Sequence, residues 1–147
     1  MTNTTARNSA ATSGGLLVLR IVVGAIFIAH GAQKIFENTL AGTTEGFAGM
    51  GVPLPEIAAP VVAFVELIGG AMLVIGLFTR LAGVLLAVNM VVALVLVHLP
   101  AGLWVGDGGY EFVAVLGAGA LALTLTGAGR FSVDRGVLRG RAPAWLA

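Results

Sequence analysis

Four long apolar runs, separated by short polar or glycine-rich stretches, dominate the pattern of the chain. They predict helices over about residues 16–36, 57–78, 81–99 and 110–126. A helix rises about 1.5 Å per residue, so these lengths approach or match the roughly 30 Å hydrocarbon core of a bilayer. The pattern therefore predicts an all-α fold, an integral membrane bundle of four transmembrane helices.

The flanking segments differ in composition from the runs. Residues 1–15 are small and polar and predict a flexible tail, residues 16–127 form the membrane domain, and residues 128–147 form a basic tail. Glycines and prolines make residues 37–56 a loop, in which EGFAGMG is compatible with a short interfacial helix. Thr79-Arg80 is the expected turn between the second and third helices.

The distribution of basic residues predicts the topology. One set of helix ends carries most of the arginines, whereas the opposite ends carry mainly acidic residues. Basic residues favour the cytoplasmic side, so both termini are expected in the cytoplasm, with the chain crossing the membrane several times. The arginines that carry this prediction are Arg7, Arg80, Arg130, Arg135, Arg139 and Arg141.

Composition agrees with a membrane protein and excludes several functions. Hydrophobic residues make up 58% of the 147 residues, charged residues 10%, and the net charge is +1. The low net charge argues against a nucleic-acid partner. The chain has no cysteine. This excludes disulfides, thiol catalysis and iron–sulfur ligation by the chain itself, so redox chemistry requires a cofactor, a substrate or a partner.

Helix one carries three basic or titratable residues on one face. At about 100° per residue, Arg20, His30 and Lys34 share that face with Gly24 and Gly31. A charged side chain in the bilayer core costs about 2.5–3.5 kcal/mol on insertion scales, so this face must point away from lipid. The two glycines allow another helix to approach closely.

Polar residues of the other helices are expected to meet this face in the outer half of the bundle. Glu66 shares its face with small residues and should point inward, whereas Asn89 lies about 180° from His98 on a regular helix. Alanines at 114, 118 and 122 predict that helix four packs inward below its polar start. The predicted cluster consists of His30, Lys34, Glu66, His98, Tyr110 and Glu111.

Each of these residues receives a candidate role, with purely structural pairing as the alternative. Candidate catalytic residues are Glu66, His30 and Glu111, and candidate cofactor-binding residues are His30, Lys34, His98 and Tyr110. Arg20 and Arg80 are expected to be structural, reaching the cytoplasmic interface or forming ion pairs. No metal site is predicted. Haem ligation by two histidines is the weaker alternative, since no further haem signature accompanies them.

The motifs resemble those of the DoxX family of small bacterial membrane proteins. They are LRIVVGAIFIAHGAQK at 19–34, GF at 46–47, VELIGGAMLVIGLFTR at 65–80, GGYE at 108–111 and GAGRFSVD at 127–134. The resemblance implies a four-helix membrane bundle with a role in oxidative-stress or thiol and sulfur redox homeostasis. It further implies a quinone as partner in an oxidoreductase system, and it places Arg20, His30, Lys34, Glu66, Arg80 and Glu111 at family motif positions.

Three functions remain open at this point. The first is a quinone-interacting subunit of a membrane-associated oxidoreductase. Whether the chain itself catalyses a reaction of the quinone is left open. The second is a non-enzymatic membrane anchor for soluble redox enzymes, and the third is a small proton-linked transporter. The expected partners are the lipid bilayer, soluble redox enzymes or a second subunit, and further copies of the chain.

Overall fold

The fold is all-helical over the described part of the chain. A computed structural model describes residues 2–138 and 143, with side chains described from residue 10 to residue 136 and at 143. We number the helices α1 (Thr2–Ala32), α2 (Thr39–Gly49), α3 (Pro55–Ile75), α4 (Thr79–Ala93) and α5 (Glu111–Thr126). A π-helical turn extends α1 over Gln33–Glu37, and another extends α4 over Leu94–His98; a 3-10 turn, Leu99–Ala101, follows the second.

Helix α1 begins well before the predicted start at residue 16. Residues 2–15 are helical, whereas the sequence predicted a flexible polar tail over residues 1–15. Ser13 is buried, and a Cβ built on Gly129 would lie 3.3 Å from Leu16 Cδ1 and 3.6 Å from Ser13 Cα. The segment after α5 therefore packs on the start of the apolar part of α1. Local composition carries no signal of this distant contact.

The turn between α3 and α4 lies earlier than predicted. Gly76 and Phe78 have positive φ angles of 69° and 46°, and Thr79 already belongs to α4. The Asp134 carboxylate accepts hydrogen bonds from the Phe78 N–H at 2.7 Å and from the Thr79 N–H at 3.1 Å. A phenylalanine in the left-handed region is strained. Asp134 stabilises this turn by satisfying the free N–H groups at the start of α4.

Four helices pack in a ring. α1 packs on α3, α3 on α4, α4 on α5 and α5 on α1, while α2 lies against α3 at one end. The buried side chains between them form one apolar core, which comprises Val23, Phe27, Leu73, Ala82, Leu86, Met90, Val113, Leu116, Ala120 and Leu123.

Glycines set the distance between α1 and α3, as predicted from their position. A Cβ on Gly24 would lie 2.7 Å from the Gly70 carbonyl oxygen, and a Cβ on Gly31 would lie 2.5 Å from the Leu67 nitrogen. Real Cβ atoms do not approach backbone atoms this closely. The two helices therefore touch through their backbones, which is typical of helix pairs in membranes.

Large apolar side chains point outward. Within the described residues, three helical segments are long and apolar enough to cross a membrane, Ala10–Glu37, Pro55–Ile75 and Thr79–Ala101, whereas the apolar segment Glu111–Thr126 is shorter. On α3, Val61, Phe64 and Ile68 are exposed. Such an apolar exterior suits lipid rather than water.

The predicted inward stripe of α5 is wrong. Ala118 is exposed, and Ala114 and Ala122 are only partly buried. The buried face is instead formed by Val113, Leu116, Ala120 and Leu123. The four-residue spacing identified a row of small residues but not which helix faces them. Val113, Leu116 and Leu123 instead pack in the apolar core that α5 shares with α4.

Gly31→Ala tests the backbone contact between α1 and α3. The added methyl group has no room and should lower the free energy of unfolding by about 1–3 kcal/mol. The matched control is Gly15→Ala on the same helix, where a Cβ meets no atom within 4 Å. The control should be neutral or stabilising by up to about 1 kcal/mol. Sodium dodecyl sulfate titration of dodecyl-maltoside-solubilised protein, followed by circular dichroism, measures both; equal midpoints would contradict the contact.

Candidate functional site

A buried carboxylate lies at the centre of the candidate site. Glu66 lies in the middle of α3 and is 4% exposed. Its neighbours on the buried face of α3 are Ala59, Ala63 and Gly70, as the sequence predicts. These small residues bring the adjacent helices close to α3, so the carboxylate is enclosed by protein.

Lys34 forms an ion pair with this carboxylate. Lys34 Nζ lies 2.6 Å from Glu66 Oε2. The lysine belongs to the π-helical turn that ends α1, and the Lys34 carbonyl accepts a hydrogen bond from the Thr43 hydroxyl at 2.9 Å. Helix α2 is thereby attached to the turn that carries the lysine. The sequence left open which cation pairs with Glu66, and the structure identifies Lys34.

Asn89 supplies the second partner of the carboxylate. Its Nδ2 donates to Glu66 Oε1 over 3.1 Å, so both carboxylate oxygens accept a hydrogen bond from a side chain. On a regular helix Asn89 and His98 lie on opposite faces, yet both line the same cavity. The π-helical turn Leu94–His98 explains the difference, because its wider turn rotates the residues beyond it by about 100°.

The cluster opens on a cavity of about 370 Å³. The cavity lies between the end of α1, α2 and its link to α3, the first half of α3, the end of α4 and the first half of α5. Its polar side chains are those of His30, Lys34, Glu66, Asn89 and His98, and the remaining walls are apolar. An apolar cavity with a few converging polar groups is the usual form of a small-molecule site.

The two histidines of the cavity differ in their hydrogen bonding. His98 Nδ1 lies 2.7 Å from the Gly108 carbonyl oxygen, which leaves Nε2 as the free ring nitrogen. The His30 ring packs against Phe112 with centroids 5.7 Å apart. Within the described residues no hydrogen bond engages the His30 ring nitrogens. His30 therefore offers the cavity an uncommitted donor and acceptor.

Two predicted site residues lie outside the cavity. Glu111 Oε1 accepts a hydrogen bond from the Val105 N–H at 2.7 Å and so stabilises the loop before α5. Tyr110 packs against the apolar core, and its backbone N–H donates to the Gly102 carbonyl. The predicted convergence of six residues is therefore correct for four. Their position at the start of a helix did not reveal that the Glu111 side chain bonds the loop and that the Tyr110 side chain packs on the core.

Arg20 was predicted to be structural, and its side chain is buried among backbone carbonyl groups. It is fully buried, and its guanidinium donates to the Leu73 carbonyl at 3.4 Å and to the Phe131 carbonyl. Arg80 is partly buried in the first turn of α4. Lys34–Glu66 is the one ion pair among the residues that the structure describes, so neither arginine forms an ion pair there.

This arrangement suits hydrogen bonding to a ligand. The described residues contain no group of three or more His, Asp or Glu side chains that could hold a metal ion. The cavity instead joins a charged, internally paired cluster to a free imidazole and an apolar space. An imidazole ring carries both a hydrogen-bond donor and an acceptor, so His30 and His98 are suited to hydrogen-bonding a ligand.

Comparison with known proteins gives a family match and several relatives. The DoxX family model matches residues 15–99. A Bacillus subtilis protein named "Putative oxidoreductase CatD" is 36% identical over 127 residues, which is 86% of this chain and 90% of the relative. No solved structure matches the chain.

Two further relatives are named as membrane proteins. An uncharacterized membrane protein of Mycobacterium tuberculosis is 32% identical over 130 residues, covering 82% of this chain and 79% of the relative. The Escherichia coli inner membrane protein YphA is 34% identical over 126 residues, covering 82% and 88% of the two chains.

A double-mutant cycle tests the ion pair of Lys34 and Glu66. Either Lys34→Met or Glu66→Leu leaves an uncompensated charge in a buried place and should lower the free energy of unfolding by about 3 kcal/mol. The double variant should cost less than the sum of the two, with a coupling of about 1–3 kcal/mol. Detergent unfolding followed by circular dichroism provides these values.

The control cycle combines Lys34→Met with Glu56→Leu. Glu56 is an exposed residue in the first turn of the same helix, so these two effects should add within about 0.5 kcal/mol. Additive effects of Lys34→Met and Glu66→Leu would contradict the ion pair as an energetic unit.

Proposed function

This chain belongs to the DoxX family and lies in the bacterial plasma membrane, and from this premise we propose that it is a quinone-interacting subunit of a membrane-associated oxidoreductase system. The observation that carries the proposal is the apolar cavity in which His30, His98 and the Glu66 cluster converge. The oxidoreductase name of the Bacillus relative supports a redox role. We further propose that the system serves oxidative-stress or thiol and sulfur redox homeostasis.

The residues of the cavity fit a quinone head. A quinone ring is flat and apolar and carries carbonyl oxygens that accept hydrogen bonds. The cavity supplies apolar walls, including Phe27 and Phe112, and donors from His30 and Lys34. Its volume of about 370 Å³ lies in the range of small-molecule sites, about 300–1,000 Å³.

The chain's own residues divide into a ligand-facing group and a group that holds the polar wall in place. When bound, a quinone exchanges two electrons and two protons. His30, with its free ring nitrogens, hydrogen-bonds a carbonyl oxygen and exchanges a proton with it. Glu66 supplies the negative charge of the polar wall, and Lys34 and Asn89 fix its carboxylate. The role of Glu66 is thus to assist His30 and hold the polar wall in place.

The electrons come from outside the chain in this proposal. Because the sequence lacks cysteine, the chain itself provides no thiol and no iron–sulfur ligand. We therefore propose a soluble redox enzyme or a second subunit as the electron-transfer partner. The exposed arginines at 130 and 135 offer a basic surface for such a partner.

Purification in mild detergent, lipid extraction and an ultraviolet–visible redox spectrum test the proposal. Wild-type protein should retain stoichiometric quinone, whereas His30→Ala and Glu66→Gln should lose most of it without unfolding. Glu66→Gln should also abolish quinone-linked turnover, since the amide cannot carry the charge or the proton. The matched control, Glu56→Gln, changes an exposed carboxylate on the same helix and should retain the quinone.

Other outcomes would identify the alternatives. A Soret band would contradict the quinone proposal and point to haem bound by His30 and His98. A protein with neither quinone nor chromophore would favour the membrane anchor. Wild-type turnover in Glu66→Gln would remove Glu66 from the mechanism.

We also propose that the four packed helices α1, α3, α4 and α5 all cross the membrane, with both termini in the cytoplasm. Helix α5 has 16 residues, which gives a length of about 24 Å. This is slightly shorter than the hydrocarbon core, and short spans are accommodated by local thinning of the bilayer. The arginine distribution supports the orientation.

Cysteine labelling tests this topology, and the absence of native cysteine removes background. Glu45→Cys on α2 and Arg135→Cys after α5 replace exposed residues at opposite ends of the bundle. In intact spheroplasts an impermeant maleimide should label the variant at 45, whereas the variant at 135 should react only after lysis. Labelling of both variants, or the reverse pattern, would contradict the proposed orientation.

A further inference from the structure

We infer that the cavity takes its ligand sideways from the bilayer and holds the start of a hydrocarbon tail in an apolar mouth beside α4. The inference rests on the proposed quinone function and deepens it: the ligand class is a quinone that carries an alkyl or isoprenoid tail. The polar wall binds the ring, and the mouth binds the tail.

Three residues define the mouth. Met50, Val92 and Leu96 line the cavity, and they are 48%, 47% and 42% exposed. A residue that lines a cavity and is also exposed lies where the cavity opens. Among the described residues, every exposed side chain of the lining belongs to this set. The most exposed part of the lining is therefore apolar.

The position of the mouth indicates what passes through it. Val92 and Leu96 belong to the segment Thr79–Ala101, which is long and apolar enough to cross a membrane. Their neighbours Val91 and Val95 are also exposed and apolar. The mouth thus opens onto the lipid-facing side of α4. An apolar ligand dissolved in the bilayer enters here without leaving lipid, whereas a charged solute would have to lose its hydration.

The polar and apolar ends of the cavity fix the direction of the ligand. Glu66 is buried on α3 and held by Lys34 and Asn89, while the exposed rim lies on α4 and on Met50 at the end of α2. A ligand with acceptor oxygens at one end and a hydrocarbon chain at the other matches this polarity. The cavity volume, near the lower end for small-molecule sites, suits a ring and the first part of a tail, with the rest in lipid.

Binding of two quinones that share one head group tests the inference. Ubiquinone-0 has no tail, and decylubiquinone has a ten-carbon tail. Purified full-length protein in detergent is equilibrated with each probe and captured on resin, and bound quinone is quantified after subtraction of a protein-free micelle blank. Leu96→Trp should weaken decylubiquinone binding about tenfold, because the indole fills the mouth, but should weaken ubiquinone-0 binding less than about threefold.

The matched control is Val95→Trp. Val95 is exposed on the same turn but does not line the cavity, so this variant should bind both probes like the wild type. If Leu96→Trp does not fold, Met50→Trp provides the same test from the exposed end of α2. Retention of the wild-type elution volume and helical signal verifies folding of each variant.

The outcomes separate this inference from the proposed function. Wild-type protein that binds neither probe would overturn the quinone function itself. Wild-type protein that binds both, with equal decylubiquinone affinities in Leu96→Trp and Val95→Trp, would overturn only the tail assignment. Equal loss of both probes in folded Leu96→Trp would likewise overturn it, since the mouth would then serve the ring.

Discussion

The buried carboxylate of Glu66 is the constraint on which the site depends. A carboxylate inside an apolar bundle is costly unless charge and hydrogen bonds compensate it. The compensation comes from Lys34 on α1 and Asn89 on α4, so three helices are tied together at one point. The same arrangement that makes Glu66 tolerable also forms the polar wall of the cavity.

Close helix packing makes this arrangement possible. Gly24 and Gly31 let α1 touch the backbone of α3, which brings Lys34 within 2.6 Å of the carboxylate. Membrane helices gain little from burying apolar surface against one another, because lipid is equally apolar. Close backbone contact and the buried polar contacts therefore determine which helices pack together, which the apolar exterior cannot do.

The two ends of the bundle use buried polar groups differently. At one end, Arg20 and Asp134 connect the segment after α5 to α1 and to the α3–α4 turn, and their contacts are with backbone groups. At the other end, the polar groups border a cavity, and within the described part of the chain no hydrogen bond engages the His30 ring nitrogens. The polar groups of the first end hold the helices together, whereas those of the second end border a space that a ligand could occupy.

The sequence by itself determined the apolar helices, the inward face of α3 around Glu66, and the close approach at Gly24 and Gly31. These follow from run length and from the regular turn of an α-helix. The sequence also singled out four of the five polar residues that line the cavity, because titratable groups inside apolar helices are rare enough to attract attention.

Tertiary structure alone decided the remaining features. The π-helical turn Leu94–His98 changes the direction of the His98 side chain relative to Asn89, so the two line one cavity although a regular helix would separate them. The conformation of the preceding loop gives Glu111 its partner, the Val105 N–H six residues earlier. Arg20 is buried against Phe131, 111 positions away along the chain. That contact leaves no local signal, since it depends on which surfaces meet after the helices have packed.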